Sequence, residues 1–210
     1  MDARKAEPEI INLVARARPE CARIDLSGAR SSHAWRNKLA RVLWTLTWGI
    51  LFRTSPTPFH AWRRLLLRAF GARIAVGAEA YPTCKIWAPW NLSMGPYSTL
   101  AGDVDCYCVA PVRLGAHATV SQYSFLCTAS HDYTQGHLPL TTAPIEIGDG
   151  AWIAADVFIA PGVSVGEGSV VGACARVFKD IPPWVVAGGH PARVLKRRVL
   201  STPSHDLPEP

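Results

Sequence analysis

Residues 147–178 read IGDGAWIAADVFIAPGVSVGEGSVVGACARVF, and every sixth residue from the first gives Ile147, Ile153, Ile159, Val165, Val171 and Val177, all β-branched aliphatics. The residues just after them are Gly148, Ala154, Ala160, Gly166, Gly172 and Phe178, and the fourth after each of the first five is Ala151, Val157, Val163, Ser169 or Ala175. A helix repeats its apolar face every 3.6 residues and an ordinary strand every two, so a strict period of six fits neither. It fits a triangular coil. If each hexad is one short flat strand and one corner, three hexads close a turn, the aliphatic anchors stack in an interior column, and small residues let the backbone bend. Such a ladder predicts a mainly β chain wound as a parallel β-helix.

Outward from this stretch the period weakens. Leu114, Val120 and Leu126 keep it, followed by Gly115, Ser121 and Cys127, whereas Val76, Pro82, Ala88, Met94 and Leu100 keep it imperfectly. The coil is therefore expected to begin near Ile74 with degenerate terminal repeats. Leu100 to Leu114 exceeds two hexads by two residues, which predicts a small bulge around Cys106 to Arg113. Leu126 to Ile147 is twenty-one residues, three more than three hexads, so an excursion leaves the coil over 129–144. Its start, SHDYTQGHLPL at 130–140, is polar and turn-rich, and loops on a rigid scaffold are where chemistry concentrates. Pro182 and Pro183 end the ladder.

Ahead of the coil, Trp35, Leu39, Val42, Leu43, Leu46 and Ile50 fall at three- and four-residue steps and predict a helix over 34–53. Thr54-Ser55-Pro56-Thr57-Pro58 interrupts it. A second helix is expected from about Phe59 to Phe70, with Gly71 as its stop. The domain plan is an arm (1–30), a Trp/Arg-rich helical segment (31–72), the coil (73–183), and a terminal turn, basic segment and tail (184–210).

The 210 residues, 49% hydrophobic, suffice for one good core. The net charge of +6 is unevenly placed: no Asp or Glu lies between Leu26 and Ala78, where Arg30, Arg36, Lys38, Arg41, Arg53, Arg63, Arg64, Arg68 and Arg73 all stand. The longest charge-free run there, Val42 to Phe52, is too short to span a bilayer, which needs about 20 apolar residues. Residues 34–70 could instead lie at a membrane surface, drawn to anionic lipid, or simply pack on the coil or a neighbouring subunit. Six scattered cysteines (Cys21, Cys84, Cys106, Cys108, Cys127, Cys174) support neither a zinc ribbon nor a disulfide framework and are expected to be buried thiols. A charged, Pro-containing start without a signal peptide favours the cytoplasm, at the inner membrane face if the helices dock there.

Three stretches then resemble a known family: Cys127-Thr128-Ala129-Ser130-His131-Asp132-Tyr133; Ile147 to Ile153; and Lys179-Asp180-Ile181-Pro182-Pro183 through Gly189-His190-Pro191-Ala192-Arg193. Together they resemble the O-acetyltransferase branch of the hexapeptide-repeat transferases, and with the Trp/Arg-rich segment before them, the WcaF-like acetyltransferases of exopolysaccharide (colanic acid) biosynthesis. The resemblance implies a left-handed β-helix, a homotrimer, and acetyl transfer from acetyl-CoA to the hydroxyl of a sugar or lipid-linked glycan. Neither a metal nor a nucleic-acid partner is expected.

An alcohol is a poor nucleophile at neutral pH, so a base must take its proton, and histidine titrates in the right range. His131 at the loop mouth is the candidate base, and Asp132 could orient it or point away. His137 shares the loop and is a candidate acceptor contact; His117, His190, His33 and His60 are rivals with structural or solvated readings. For acetyl-CoA the resemblance implies Trp152, Ala154, Ala160, Ala173, Lys179, Arg193 and Lys196, the last three able to meet phosphates or to form an ordinary solvated basic surface. Two departures stop the acceptor site from being carried over. Tyr107 is followed by Cys108 where relatives carry asparagine, and Ala101 stands where the galactoside and maltose transacetylases place an acceptor-holding asparagine. Asp103, Asp105 and Tyr123 are therefore candidates only. Two rival classes remain: a metal enzyme resembling the γ-type carbonic anhydrases, which would need histidines such as His117, His131 and His137 to converge, and a non-catalytic scaffold docking on membrane through residues 34–70.

Overall fold

The six-residue step closes as a triangle. In a computed structural model, which describes residues 24–27 and 34–201, each hexad is a strand of two or three residues followed by a corner, and strands one coil apart pair in parallel. The first face is built from Arg73–Ile74, Leu92–Met94, Val112–Leu114, Ile145–Ile147 and Ser164–Val165; the third from Lys85–Ile86, Asp105–Tyr107, Phe125–Cys127, Phe158–Ile159 and Arg176–Val177. The second face, from Glu79–Ala80 to Val170–Val171, continues into a terminal hairpin of Val185–Gly189 and Ala192–Arg197. All six anchors from Ile147 to Val177 point inward, none more than 2% exposed. The third residue after an anchor turns the corner in the left-handed region, as at Tyr97, Asp103, His117, Tyr123, Asp156 and Cys174. The small residue after an anchor has its own reason. A Cβ on Gly148 would sit 2.6 Å from the Glu167 backbone nitrogen, so adjacent coils meet there backbone to backbone.

Two expectations about register are corrected. The anchors of the first coil are Ile74, Ala80 and Ile86, all buried, and not Val76, Pro82 and Ala88; Val76 is exposed. A 3-10 turn at Pro89–Asn91 adds two residues between Ile86 and Met94 and brings the later hexads into phase. The excursion is also longer than its hexad count implied. Leu114 pairs with Ile147 and Leu126 with Ile159, so Leu126 and Ile147 are successive anchors and fifteen residues, not three, are inserted between them. The bulge between Cys106 and Leu114 stands. The cysteine expectation holds for Cys84, Cys106 and Cys108, which are buried, but Cys127 is half-buried and Cys174 exposed, because Cys174 occupies an outward corner. Cys21, His33, most of the arm and the last nine residues lie outside the described residues.

The helical segment forms α1 (Trp35–Thr47), a π-helical turn (Trp48–Phe52) and α2 (His60–Ala69), close to the predicted spans. Its inner side closes the coil. In the first coil the N–H groups of Ala75, Glu79, Tyr81, Lys85 and Trp87 donate to the second coil at Met94, Ser98, Leu100, Val104 and Cys106. The equivalent carbonyls of the first coil, at Ile74, Ala78, Ala80, Cys84 and Ile86, have no coil before them. Each instead accepts from a helix side chain: Arg68 to Ile74 O, Arg64 to Ala78 O, Arg63 to Ala80 O, Trp48 to Cys84 O and Trp44 to Ile86 O, at 2.6–3.1 Å. A sheet edge left bare would be both unsatisfied and open to foreign strands. Fully buried Arg63 also reaches Ser55 Oγ, Pro56 O and Thr57 O, fixing the turn between the helices. Trp44, Phe52, Leu66 and Leu67 fill the space behind these caps. The helices therefore pack on the coil, as one of the two sequence readings had it, and three of the segment's arginines serve that packing.

Candidate active site

Within the excursion, His131–Pro139 groups with the described residues 24–27 in one compact unit, and the coil with its helices forms another. Within the loop, His131 is exposed and its Nδ1 lies 2.6 Å from Leu138 O. A carbonyl only accepts, so Nδ1 carries the proton and Nε2 bears the lone pair. This is the tautomer in which Nε2 can serve as a general base. Leu138 is held with φ +46° and its N–H bonds Gln135 O at 3.0 Å, so the loop presents that carbonyl in a fixed place.

The Asp132 carboxylate bonds within its own loop. Its Oδ1 accepts from Thr134 N and Thr134 Oγ1 at 2.9 and 2.6 Å, and its Oδ2 from Gln135 Nε2 at 2.8 Å. The Thr134 hydroxyl and backbone bonds, followed by that of Gln135, hold its carboxyl below the ordinary carboxylate value. It shapes the loop, and the contact that orients His131 is Leu138 O. His137 is exposed on the same loop and adds to the stabilisation of the Asp132 charge. Asp25 N, in the same unit, donates to Gly136 O at 3.0 Å.

On the coil, Trp152 is exposed on the second face with its Nε1 donating to Ser121 Oγ at 3.0 Å. Ala154 and Ala160 are buried just after anchors, their N–H groups spent on Val171 O and Val177 O. Ala173 is exposed at the next corner along. Lys179 follows the last coil, and Arg193 and Lys196 stand on the second strand of the terminal hairpin; all three are exposed, and among the described residues none has a carboxylate within 4.0 Å. Asp103 and Tyr123 are exposed corner residues with φ near +60°.

Asp105 is set apart from these. It lies opposite Lys85 in the third face and lines a cavity of about 310 Å³ with Arg41, Trp44, Trp48, Trp87 and Tyr107. Burial pushes its carboxyl up from the ordinary value, with Lys85 opposing. Arg41 lies over the Trp87 ring at 4.3 Å. Sequence reasoning named Asp105 but missed the helix residues that wall the cavity, since nothing in the repeat says which coil a preceding helix covers. It also missed an aromatic ladder along the third face: Trp87, Tyr107, Phe125, Phe158 and Phe178, with His190 of the terminal hairpin beyond them, meet edge-on or tilted with centroids 5.5–6.2 Å apart. The signal was present as an aromatic beside an anchor about once per coil.

Among the described residues no three His, Cys, Asp or Glu side chains are grouped to hold a metal, and His117 is stacked on Tyr97 at 5.2 Å.

Residues 144–179 match the family described as bacterial transferase hexapeptide (six repeats). Over 177 residues the chain is 42% identical to the putative colanic acid biosynthesis acetyltransferase WcaF of Escherichia coli (strain K12), covering 83% of this chain and 97% of that one. Among solved structures it is similar to a maltose O-acetyltransferase from Clostridium difficile 630, with a TM-score of 0.71, 25% identity and coverage of 83% and 95%. It is also similar to a hexapeptide-repeat acetyltransferase of Vibrio cholerae O1 biovar eltor complexed with acetyl coenzyme A, with a TM-score of 0.68, 26% identity and coverage of 80% and 92%.

Proposed function

The chain belongs to the hexapeptide-repeat acetyltransferases of the WcaF-like kind, and from that membership we propose that it moves an acetyl group from acetyl-CoA to a hydroxyl of an exopolysaccharide precursor or related glycan, soluble or lipid-linked, with His131 as base. The observation that carries the mechanism is the 2.6 Å bond from His131 Nδ1 to Leu138 O, which leaves Nε2 to take a proton. The hydroxyl gives its proton to Nε2 as its oxygen bonds the thioester carbonyl carbon. Backbone donors steady the resulting oxyanion. Collapse breaks the carbon–sulfur bond, and the proton held on Nε2 passes to the departing CoA sulfur.

Lys179, Arg193 and Lys196, free of carboxylates, suit the phosphates of CoA; Trp152 and the small residues Ala154, Ala160 and Ala173 suit its pantetheine arm and adenine. For the acceptor the best-supported contact is Asp105 in its aromatic-walled cavity, with Asp103, Tyr123 and His137 as exposed candidates. The working form is a homotrimer in the cytoplasm, where acetyl-CoA is made, and the partly exposed aromatic ladder of the third face favours burial against another copy.

Replacing His131 by Ala or Asn and following CoA release with a working acceptor is the test. Loss of about 10²–10⁴-fold in kcat, with folding and assembly intact, is expected for a general base. Near-normal turnover would remove His131 from the mechanism.

A further inference from the structure

The helical segment carries a second apolar face that capping the coil does not use. Trp35, Leu39, Val42, Leu43, Leu46 and Ile50 share one side of α1 and the turn after it, and all are exposed, Trp35 at 71% and Ile50 at 67%. Trp44 and Phe52 are buried against the coil. The apolar surface continues through Leu51 to Phe59 and Trp62, which line one shallow hollow with Ile50, and Trp62 Nε1 bonds Leu51 O at 3.1 Å. Leu65 is exposed beyond it. A helix that is apolar on both sides has two partners to satisfy, and the coil is only one of them.

The charge around this face selects the second. No acidic residue occurs between Leu26 and Ala78. Arg36, Lys38 and Arg53 are exposed beside the stripe, and among the described residues none has a carboxylate within 4.0 Å. Arg36 lies against Trp35 and Arg53 against Trp48. The same face of a second copy would bring cations against cations. A bilayer surface with anionic headgroups offers hydrocarbon for the stripe and negative charge for its borders. Among the described residues no helix is long and apolar enough to cross a membrane, whereas α1, about 20 Å long, can lie flat on one.

We propose that α1, the turn after it and the start of α2 form a docking face for anionic phospholipid, with Trp35, Leu39, Val42, Leu46 and Ile50 turned towards the acyl chains and Arg36, Lys38 and Arg53 among the headgroups. Docking goes beyond the acetyl-transfer reading and does not rest on it.

Flotation of the full chain with vesicles of phosphatidylcholine, with and without phosphatidylglycerol, tests it. Binding is expected to vesicles containing phosphatidylglycerol at low salt, and to weaken as salt screens the headgroups. Leu46→Glu with Ile50→Glu should reduce the partition coefficient by about tenfold or more, and Arg36→Gln with Lys38→Gln by about tenfold. Circular dichroism, melting and oligomeric size should stay as in the wild type, because these side chains face solvent. Equal binding to both vesicle types, or none by the folded wild type, overturns the proposal. A change of oligomeric size in the Leu46→Glu, Ile50→Glu variant would also overturn it, in favour of an interface between copies. The readout is binding and not turnover, so its failure leaves acetyl transfer standing.

Discussion

The two ends of the coil face the same problem with opposite chemistry. A parallel coil is polar along its axis: each turn gives its N–H groups to the next turn's carbonyls, so the first turn is left with bare carbonyls and the last with bare N–H groups. At the start, donors are needed, and Arg63, Arg64, Arg68, Trp44 and Trp48 supply them from the helices. At the finish, acceptors are needed, and the chain's own backbone provides most of them: Gly166 N meets Ile181 O and Gly172 N meets Ala187 O, both at 2.8 Å. One side chain helps, Asp180, whose Oδ1 accepts from Ser164 N at 2.8 Å. The Trp- and Arg-rich composition before the coil therefore has a structural cause in its polarity. What that cause does not cover is the outward stripe of α1.

The largest effect should come from the most buried donor. Arg63→Ala strips the cap from Ala80 O and the ties to Ser55, Pro56 and Thr57, and leaves a space behind them. A cost of about 3–5 kcal/mol is expected from the lost charged hydrogen bonds and the cavity together. Arg63→Lys should recover little, since a point charge cannot reproduce the fork. The urea midpoint measures this, and a shift within error of zero for Arg63→Ala would show that the first coil does not need its donors.

A pair of smaller changes compares the ends directly. Trp48→Phe keeps an aromatic ring in place but leaves Cys84 O without its donor, at an expected cost of about 1–2 kcal/mol. Asp180→Ala removes an acceptor that is exposed, where water can replace it, and should cost about 0.5–1 kcal/mol. If the order were reversed, the asymmetry between a side-chain-capped end and a backbone-capped end would be lost.

The legibility of the sequence follows the same divide. From Ile147 to Val177 the interior holds β-branched anchors that only neighbouring coils support, so the period is strict and could be read. In the first coils the anchors include Ala80 and Cys106, and the 3-10 turn shifts the phase, so the register there was read two residues late. Trp44 and Phe52 of the helical segment belong to the same buried core as those anchors, and a repeat pattern holds no trace of that. His131 could be named as a candidate because its neighbours resemble a family motif. Its orienting carbonyl was not: Leu138 O is a backbone atom seven residues on, and backbone partners leave no mark in side-chain spacing. The cavity around Asp105 was illegible for the same reason as the register, since it is made by the helix that covers the coil.

The smallest effect is one of pH, and it too should be confined to one end. His60, at the start of α2, has its Nδ1 3.1 Å from Arg63 Nη2, its Nε2 3.9 Å from Glu79 and its ring edge-on to Tyr81. Burial holds it below its ordinary value of 6.5; Glu79 pulls the other way, and Arg63 and Arg64 side with burial. A histidine so depressed binds fewer protons folded than unfolded. The stability it contributes is therefore present above 6.5 and is lost as the pH falls through the folded value. Hydrogen exchange between neutral and mildly acidic pH should show α2 and the first coil loosening before the last coil does. Because Arg63 Nη2 donates to Nδ1, protonation there would also set two cations against each other beside the cap of Ala80 O. His60→Gln, which cannot titrate, should make the two ends respond alike to acid. Uniform loosening in the wild type would mean that acid acts on the coil as a whole and not through its donor-capped end.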